Sequence, residues 1–301
     1  MKLMKTIKSA FADAAPLACG DRDCTTLRRF FRRIFWRRGR IRLHERWYCS
    51  PQCFERAAAN QIARALGASS PRRGVRHRIP LGLLMISRGQ LTNHQLRAAL
   101  ELQRREGKER IGRYLERLRF VTEEQVTAAL GLQWACPVLF HALAIDPCAA
   151  HMLPYRLLEC YRMVPLRFVE TTRVFHLGFC EELNYNVLYA IEQMLQCRTD
   201  ACLVGRRFMD GALEQLGRNQ ELGDFLFESW RPAAEIARIT SNYALKLGAE
   251  QARIVGCGEW IWARLQRGPD IANLLFRSTL CNENVGWQWS KAIISPADCA
   301  G

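Results

Sequence analysis

The sequence lacks several patterns that would assign a common class of protein directly. No apolar run reaches the roughly 18–20 residues that a membrane-spanning helix requires. The phosphate-binding pattern G-x-x-x-x-G-K-[ST] is also absent, so we expect neither ATP binding nor ATP hydrolysis. The six histidines are scattered, and no nucleophile–base pair or carboxylate pair forms a recognisable catalytic motif. We therefore expect a protein that is not an enzyme.

A disulfide framework is absent as well, although cysteine itself is abundant. The thirteen cysteines are odd in number and follow no regular spacing. Nine of them, from Cys136 onward, stand singly in apolar surroundings, as Cys160 and Cys202 do. Such residues predict reduced core thiols and hence a cytosolic protein. The first residues include lysines, but Asp13 and Pro16 interrupt the apolar stretch that a signal peptide needs, so we expect no export.

Positive charge is plentiful and unevenly spread. The net charge is +15, and ten arginines lie in Arg22–Arg46 with only Asp23 and Glu45 to offset them. Such a stretch predicts an anionic partner, namely phosphate, nucleic acid or lipid headgroup, and a solvated basic face is the alternative. In Arg28–Arg42 the arginines are interleaved with aromatic residues, a mixture that suits nucleic acid, a membrane surface or an acidic protein equally.

Two close pairs of cysteines flank this basic stretch: Cys19 with Cys24, and Cys49 with Cys53. Zinc prefers four soft ligands in a tetrahedron, commonly supplied as two such pairs, so we expect these thiolates to hold one structural Zn²⁺. The alternatives are four unligated buried thiols, or His44 as a substitute ligand. The second pair and the helix expected after it, over residues 51–66, resemble the second half of a treble-clef finger.

The middle of the chain contains an internal repeat. Residues 80–103 and 110–133 align with an offset of 30, and eight of the 24 positions are identical. Each copy predicts a short helix and then a long one, which begins at a capping box: Thr92 with Gln95, and Thr122 with Gln125. We expect two helix pairs related by pseudo-symmetry.

This repeat resembles the MshEN domain, the cyclic-di-GMP-binding module at the N-terminus of many type II secretion and type IV pilus assembly ATPases. The motif of that family reads R-L-G-x-x-L, then G-x-I or G-x-L, then L-x-x-x-L-x-x-Q, and it occurs twice. The matching residues are Leu81, Gly82, Leu96, Leu100 and Gln103 in the first copy, and Arg110, Ile111, Gly112, Val126, Leu130 and Gln133 in the second.

The resemblance implies that these residues bind cyclic-di-GMP. Arg110 would stack on a guanine and contact a phosphate, and Gly112 would let a backbone N–H approach the anion. Gln133 would offer its amide to the edge of the base, above an apolar surface formed by the leucines. A purely structural bundle is the alternative.

Two positions depart from the family pattern. Pro80 stands where the first copy should have its arginine, with Arg78 or His77 nearby as substitutes. Arg119 stands where the second copy should have its central glycine. The first departure predicts that the second copy contributes most of any ligand binding.

The rest of the chain also resembles the N-terminal region of these ATPases, without the motor. After a helical lead-in, strands Met163–Val169 and Val174–Gly178 open an α-β-β-α-β-α order, and a helix over Pro232–Leu247 precedes a hairpin. The expected fold class is α+β multidomain. Its segments are a four-cysteine, zinc-finger-like basic segment (1–66), a linker (67–76), the MshEN-like helical repeat (77–140), an α+β sandwich (141–222), a vestigial ATPase lead domain (223–280) and a tail (281–301).

Together these features predict a non-catalytic, cytoplasmic regulatory or adaptor protein. Its expected partner is a component of a type II secretion or type IV pilus machine, with cyclic-di-GMP as the candidate ligand and Zn²⁺ as the structural cofactor. The basic stretch also suits a peripheral position on the inner membrane. The alternative is a zinc-finger nucleic-acid-binding protein that acts through the Cys/Arg-rich N-terminus.

Overall fold

The computed structural model of the chain describes residues 19–24, 41–67, 78–140, 144–218 and 224–278. The strands in these ranges are β1 (Ile41–Leu43), β2 (Arg46–Tyr48), β3 (Val138–Leu139), β4 (Met163–Val169), β5 (Val174–Phe179), β6 (Arg198–Val204), β7 (Asp224–Phe227), β8 (Gln251–Cys257), β9 (Trp260–Arg267) and β10 (Asp270–Arg277). The helices are α1 (Pro51–Gly67), α2 (Leu81–Ser87), α3 (Asn93–Glu106), α4 (Ile111–Arg117), α5 (Glu123–Trp134), α6 (Pro147–Ala150), α7 (Tyr155–Cys160), α8 (Tyr185–Leu195), α9 (Arg206–Arg218) and α10 (Ala233–Leu247). None of these described helices has the length and hydrophobicity to cross a bilayer. The predicted tail and, apart from Gly67, the predicted linker lie outside the described residues.

The larger sheet joins the two ends of the described chain. Its strand order is β2-β1-β8-β9-β10-β7. The β1–β2 hairpin is antiparallel, and β1 runs parallel to β8 with Arg42 opposite Gln251. At the other edge, β7 runs parallel to β10. Segments 1–66 and 223–280, which the sequence analysis separated, therefore share one sheet in their described parts.

The central strands of this sheet face two hydrophobic cores, because successive side chains of a strand point to opposite faces. On β9, Trp260 and Trp262 lie in one core, whereas Ile261 lies in the other. Helices α1 and α10 cover the Ile261 face and pack against each other. Both helices contribute small buried residues, such as Ala58 and Ala237, which let the two backbones approach closely.

The repeat forms the predicted bundle of two helix pairs. Its helices keep the offset of the sequence, since α2 and α4 each span seven residues and start 30 positions apart. The side chains of Met85, Tyr114 and Leu115 are fully buried in its core. Helix α2 contacts α4 and α5, and α4 contacts α3, so the two copies pack into each other.

The region that follows has the predicted order of two strands, a helix, a strand and a helix. Its sheet has the order β3-β6-β5-β4, with β4 and β5 antiparallel and the other pairs parallel. Strand β3 was not predicted. It comes from the end of the repeat segment and pairs with β6, which joins the bundle to this smaller sheet.

Helix α8 lies between the two sheets and contacts both β6 and β8. Val187 on α8 and Trp262 on β9 belong to the same core. Polar contacts are also buried here: Trp262 Nε1 donates to Asn273 Oδ1 at 3.0 Å, and Arg264 Nη1 donates to the carbonyl oxygen of Met152 at 2.7 Å. The small sheet, its helices and the large sheet therefore form packed layers that share one hydrophobic core.

The cysteines of the described residues are all free thiols, which agrees with the absence of a disulfide framework. Cys180 and Cys202 are buried, as expected for core thiols. The prediction is wrong for Cys160, which is exposed at the end of the short helix α7, and Cys148 is exposed as well. Short helices have few buried positions, and the apolar neighbours of Cys160 in sequence point elsewhere.

Candidate functional site

Both predicted capping boxes form in the repeat. Thr92 Oγ1 accepts from the backbone N–H of Gln95 at 3.3 Å, and Gln95 Oε1 accepts from the backbone N–H of Thr92 at 2.9 Å. Thr122 and Gln125 make the same two bonds at 3.3 and 2.8 Å. The two long helices therefore begin with the same geometry, and the pseudo-symmetry extends to hydrogen bonding.

The two motif glutamines make reciprocal contacts between the copies. Gln103 Nε2 donates to the carbonyl oxygen of Glu109 at 2.9 Å, and Gln133 Nε2 donates to that of Ile79 at 2.7 Å. Each acceptor directly precedes the first motif position of the other copy. Each side-chain amide thus donates to the backbone of the other copy, and the contact with a base that the resemblance implied stays a prediction.

The two motif glycines lie where helices of the same copy come close together. A Cβ atom at Gly82 would lie 2.5 Å from Leu96 Cδ1, and one at Gly112 would lie 3.0 Å from Val126 Cγ1. Both glycines are buried. Both glycines therefore let two helices pack closely, and the anion contact that the resemblance implied stays a prediction.

The apolar motif residues fall into two groups. Leu81 and Val126 are buried in the bundle core, which Leu96, Ile111 and Leu130 also contact from half-buried positions. Leu100 is half-buried on α3. The apolar surface expected beneath a base is therefore divided between the interior of the bundle and its half-exposed rim.

Arg110 lies at the boundary between the bundle and the smaller sheet. It occupies the N-cap of α4 and its side chain is 41% exposed. Its guanidinium group bonds to the Glu182 carboxylate, and its Nε lies 3.5 Å from Glu181 Oε2. Arg206 pairs with Glu181 from the other side at 2.8 Å. An anionic ligand at Arg110 would compete with these two carboxylates.

The first copy has a different cation near its start. Pro80 is the N-cap of α2, with no side-chain capping bond. The guanidinium carbon of Arg78 lies 3.2 Å from the centre of a Trp134 ring, a stacked cation–π arrangement. His77, the other proposed substitute, lies outside the described residues. Arg78 is thus bound to an aromatic face beside the carbonyl of Ile79 that Gln133 contacts.

One charged contact at this boundary was missed by the sequence analysis. Glu123 Oε1 accepts from the backbone N–H of Arg207 at 3.1 Å, and Oε2 lies 3.5 Å from Arg207 Nε. A carboxylate of the bundle thereby caps the first turn of α9, a helix that packs against the smaller sheet. Nearby, burial raises the pKa of Glu116. A long-range pair of this kind leaves no local pattern in the sequence.

The four predicted zinc ligands come together. The Sγ atoms of Cys19, Cys24, Cys49 and Cys53 all lie within 4.8 Å of one another. The Cys24–Cys49 and Cys49–Cys53 separations are 3.4 and 3.9 Å. A zinc ion at about 2.3 Å from four sulfurs requires separations of about 3.8 Å, so this donor set fits tetrahedral Zn²⁺.

The surroundings of the cluster act on the charge of its thiols in opposite directions. Burial raises the pKa of the Cys53 thiol, so a cation is needed to hold it as a thiolate. Arg56 supplies a positive charge next to it, with Nη2 at 3.7 Å from Cys53 Sγ, and Arg56 Nε donates to Asp21 Oδ2 at 3.0 Å. The hydrogen bond from Arg56 in turn lowers the pKa of Asp21.

His44 does not join the cysteine cluster, so the alternative that made it a ligand is wrong. Its Nε2 lies 3.2 Å from both the carbonyl oxygen and the backbone nitrogen of Ile254 on β8. Burial lowers its pKa. Of the basic stretch Arg28–Arg42, only Ile41 and Arg42 lie within the described residues, and the predicted partners of that stretch stay predictions.

No protein-family model matches the sequence, and no curated protein matches it either. Several solved structures do. One is a structure of MshE with cdg, at 20% identity and a TM-score of 0.40, and its alignment covers 46% of this chain and 99% of that one. Two crystal forms of the N-terminal domain of XpsE align at 15% and 17% identity, with TM-scores of 0.34 and 0.27. These alignments cover 45% and 43% of this chain, and 92% and 89% of those chains. Likenesses at this level assign no function to this chain.

Proposed function

We propose that the chain is a non-catalytic regulatory or adaptor protein of a type II secretion or type IV pilus system, and that its helical repeat binds cyclic-di-GMP. The observation that carries the proposal is the duplicated motif. Its two copies match the family pattern in phase, both start their long helices at a capping box, and each glutamine contacts the other copy. A bundle of unrelated origin has no reason to repeat these features at one offset.

Arg110 is the residue on which binding depends. It is the only motif arginine, it is partly exposed, and it stands at the N-cap of α4. A planar guanidinium group can stack on a guanine while donating to a phosphate oxygen. Because Glu181 and Glu182 already bond to this group, we expect weak binding. The ligand must displace these carboxylates or share the arginine with them.

The loss of the first arginine weakens binding further. A charge-assisted hydrogen bond contributes about 1.5–3 kcal/mol, which corresponds to roughly a ten- to hundredfold change in affinity. The backbone at Pro80 still suits an arginine, since its φ and ψ of −53° and 137° lie close to the −76° and 154° of Arg110. The change Pro80→Arg can therefore restore the family pattern without strain.

Isothermal titration calorimetry with cyclic-di-GMP tests the proposal. We expect weak binding by the wild type, none by Arg110→Ala, and binding tightened roughly ten- to hundredfold by Pro80→Arg. The control is Arg104→Ala, which removes an exposed arginine of α3 outside the motif and should change nothing. If neither the wild type nor Pro80→Arg shows binding at high micromolar ligand, the repeat is only a structural scaffold.

For the cysteine cluster we propose a structural zinc ion held by Cys19, Cys24, Cys49 and Cys53. The donor set supports four thiolate ligands with no open position, which is typical of structural and not catalytic zinc. When bound, the ion would supply cross-linking between the 19–24 segment, the end of the β1–β2 hairpin and the first turn of α1. Arg56 would offset part of the negative charge of the four thiolates.

A further inference from the structure

An open cleft of about 540 Å³ lies where the large and small sheets meet, away from both sites described above. The β1–β2 turn forms one wall through His44 and Glu45, and Arg253 of β8 lies behind them. The β4–β5 turn and the start of β6 form the opposite wall through Arg173 and Arg198. The cleft is thus built from parts of the chain that are far apart in sequence.

Positive charge exceeds negative charge around this cleft. Arg173, Arg198 and Arg253 line it, and Arg42 reaches its edge through a bond to Glu45. The lining contains two carboxylates. The Glu192 carboxylate accepts hydrogen bonds from the backbone N–H and from Oγ1 of Thr199, both at 2.9 Å, so it is already bonded to β6. Four guanidinium groups against two carboxylates leave an excess of two positive charges.

Arg253 is the least exposed arginine of the group. Its side chain is 18% exposed, and its one carboxylate neighbour among the described residues is Glu45, at 3.4 Å. Burial, together with Arg42 and Arg173, lowers the pKa of Arg253. A guanidinium group in this position is stabilised by any further anion that enters the cleft.

The remaining groups leave room for such an anion. Arg198 is exposed and makes no ion pair within the described part of the chain. Arg173 donates to the carbonyl oxygens of Leu195 and Gln196 at 2.7 and 2.8 Å, which holds its guanidinium group against the end of α8. Two arginines are thus held in place, by burial in one case and by these bonds in the other, and Arg198 adds a third charge at the rim.

We propose that this cleft binds a phosphorylated small molecule through its phosphate group. A phosphate monoester carries about two negative charges near neutral pH, which balances the excess. Guanidinium groups bind phosphate oxygens in a bidentate manner, and the volume lies within the usual range of small-molecule sites. Glu45 pairs with both Arg42 and Arg253, so its carboxylate competes with a phosphate for these two guanidinium groups.

The proposal is tested by titrating the full chain with pyrophosphate at constant ionic strength, using calorimetry and the thermal unfolding midpoint. We expect saturable binding that Arg198→Ala weakens at least about tenfold, because one charge-assisted contact is lost. Glu45→Gln should tighten binding, since it removes the competing carboxylate. Arg198 is exposed, so its variant is expected to fold normally.

The controls distinguish binding in this cleft from binding at other arginines of the chain. Arg104→Ala should bind pyrophosphate like the wild type, because Arg104 is exposed on α3 and does not line the cleft. Equal responses in the wild type, Arg198→Ala and Glu45→Gln would overturn the proposal. Phosphatidic acid vesicles distinguish a lipid headgroup from a free ligand: binding to vesicles without binding of pyrophosphate would overturn the small-molecule assignment. None of these outcomes depends on cyclic-di-GMP binding by the repeat.

Discussion

At the scale of single residues, both copies of the repeat have a left-handed backbone residue at the same position, and in the second copy this residue is an arginine. Gly89 and Arg119 are 30 positions apart, and both have positive φ, at 67° and 56°. The sequence identified Arg119 as a departure from the family pattern, but it could not tell whether the backbone had changed with the side chain. The left-handed conformation is retained, at a cost of about 1–2 kcal/mol for a residue with a Cβ atom.

The change Arg119→Gly should therefore stabilise the protein by about 0.5–1 kcal/mol, since relief of this strain exceeds the added entropy of the unfolded glycine chain. Urea denaturation measures the difference. Gly89→Ala is the matched control and should destabilise by about 1 kcal/mol from backbone strain alone, because no atom lies within 4 Å of the new Cβ. If Arg119→Gly leaves the free energy of unfolding unchanged or lowers it, the backbone strain assigned to Arg119 is contradicted.

Glu182 provides a test of the competition at Arg110. Its carboxylate bonds to the arginine, and its side chain is 54% exposed, so Glu182→Gln removes the charge with little effect on packing. We expect this variant to bind cyclic-di-GMP several-fold more tightly in calorimetry. Glu214→Gln, whose partner Arg218 lies on α9 away from the repeat motif, should bind like the wild type. Unchanged affinity in Glu182→Gln would show that this carboxylate does not compete with the ligand for Arg110.

At the scale of helices and strands, the sequence predicted what depends on local patterns. The capping boxes, β4 and α10 lie at or within a residue of the positions that periodicity and turn residues indicated. It did not predict β1, β2, β3, β7 or β10. Strand β3 has two residues, and it exists because β6 offers an edge, not because of its own composition.

The capping boxes can be tested as elements that start their helices. Thr92→Ala and Thr122→Ala should each destabilise the bundle by about 1 kcal/mol, since each leaves one backbone N–H without its acceptor. Chemical denaturation gives the loss, and Thr92→Ser and Thr122→Ser, which keep the hydroxyl oxygen, should recover most of it. Equal losses in the alanine and serine variants would mean that the hydroxyl bonds seen at these positions contribute no stability.

At the scale of the whole molecule, the cysteine cluster belongs to the core of the large sheet. Cys24 and Cys53 share a hydrophobic cluster with Phe54 on α1 and with Ile236 on α10, nearly two hundred residues away. The sequence indicated the four ligands by their spacing. It could not indicate that β1 pairs with β8, because nothing in a three-residue strand specifies a partner so distant. A separate finger was expected, and a shared sheet was found.

Through this shared core, a zinc ion bound at the cluster would act at long range. If the cluster holds one ion per chain, removal by a chelator should lower the unfolding midpoint and reduce the protection of β9 (Trp260–Arg267) against backbone hydrogen exchange. The ion contributes stability because its binding and folding are coupled, and affinity should fall as pH falls, since protons compete for the thiolates. Cys49→Ser should lose both the metal and this stability, whereas Cys148→Ser, an exposed cysteine outside the cluster, should keep both. Metal analysis showing well under one zinc per chain, unchanged in Cys49→Ser, would exclude the metal. Loss of zinc with no change in the hydrogen exchange of β9 would restrict the effect of the ion to the cysteine cluster and uncouple it from the sheet.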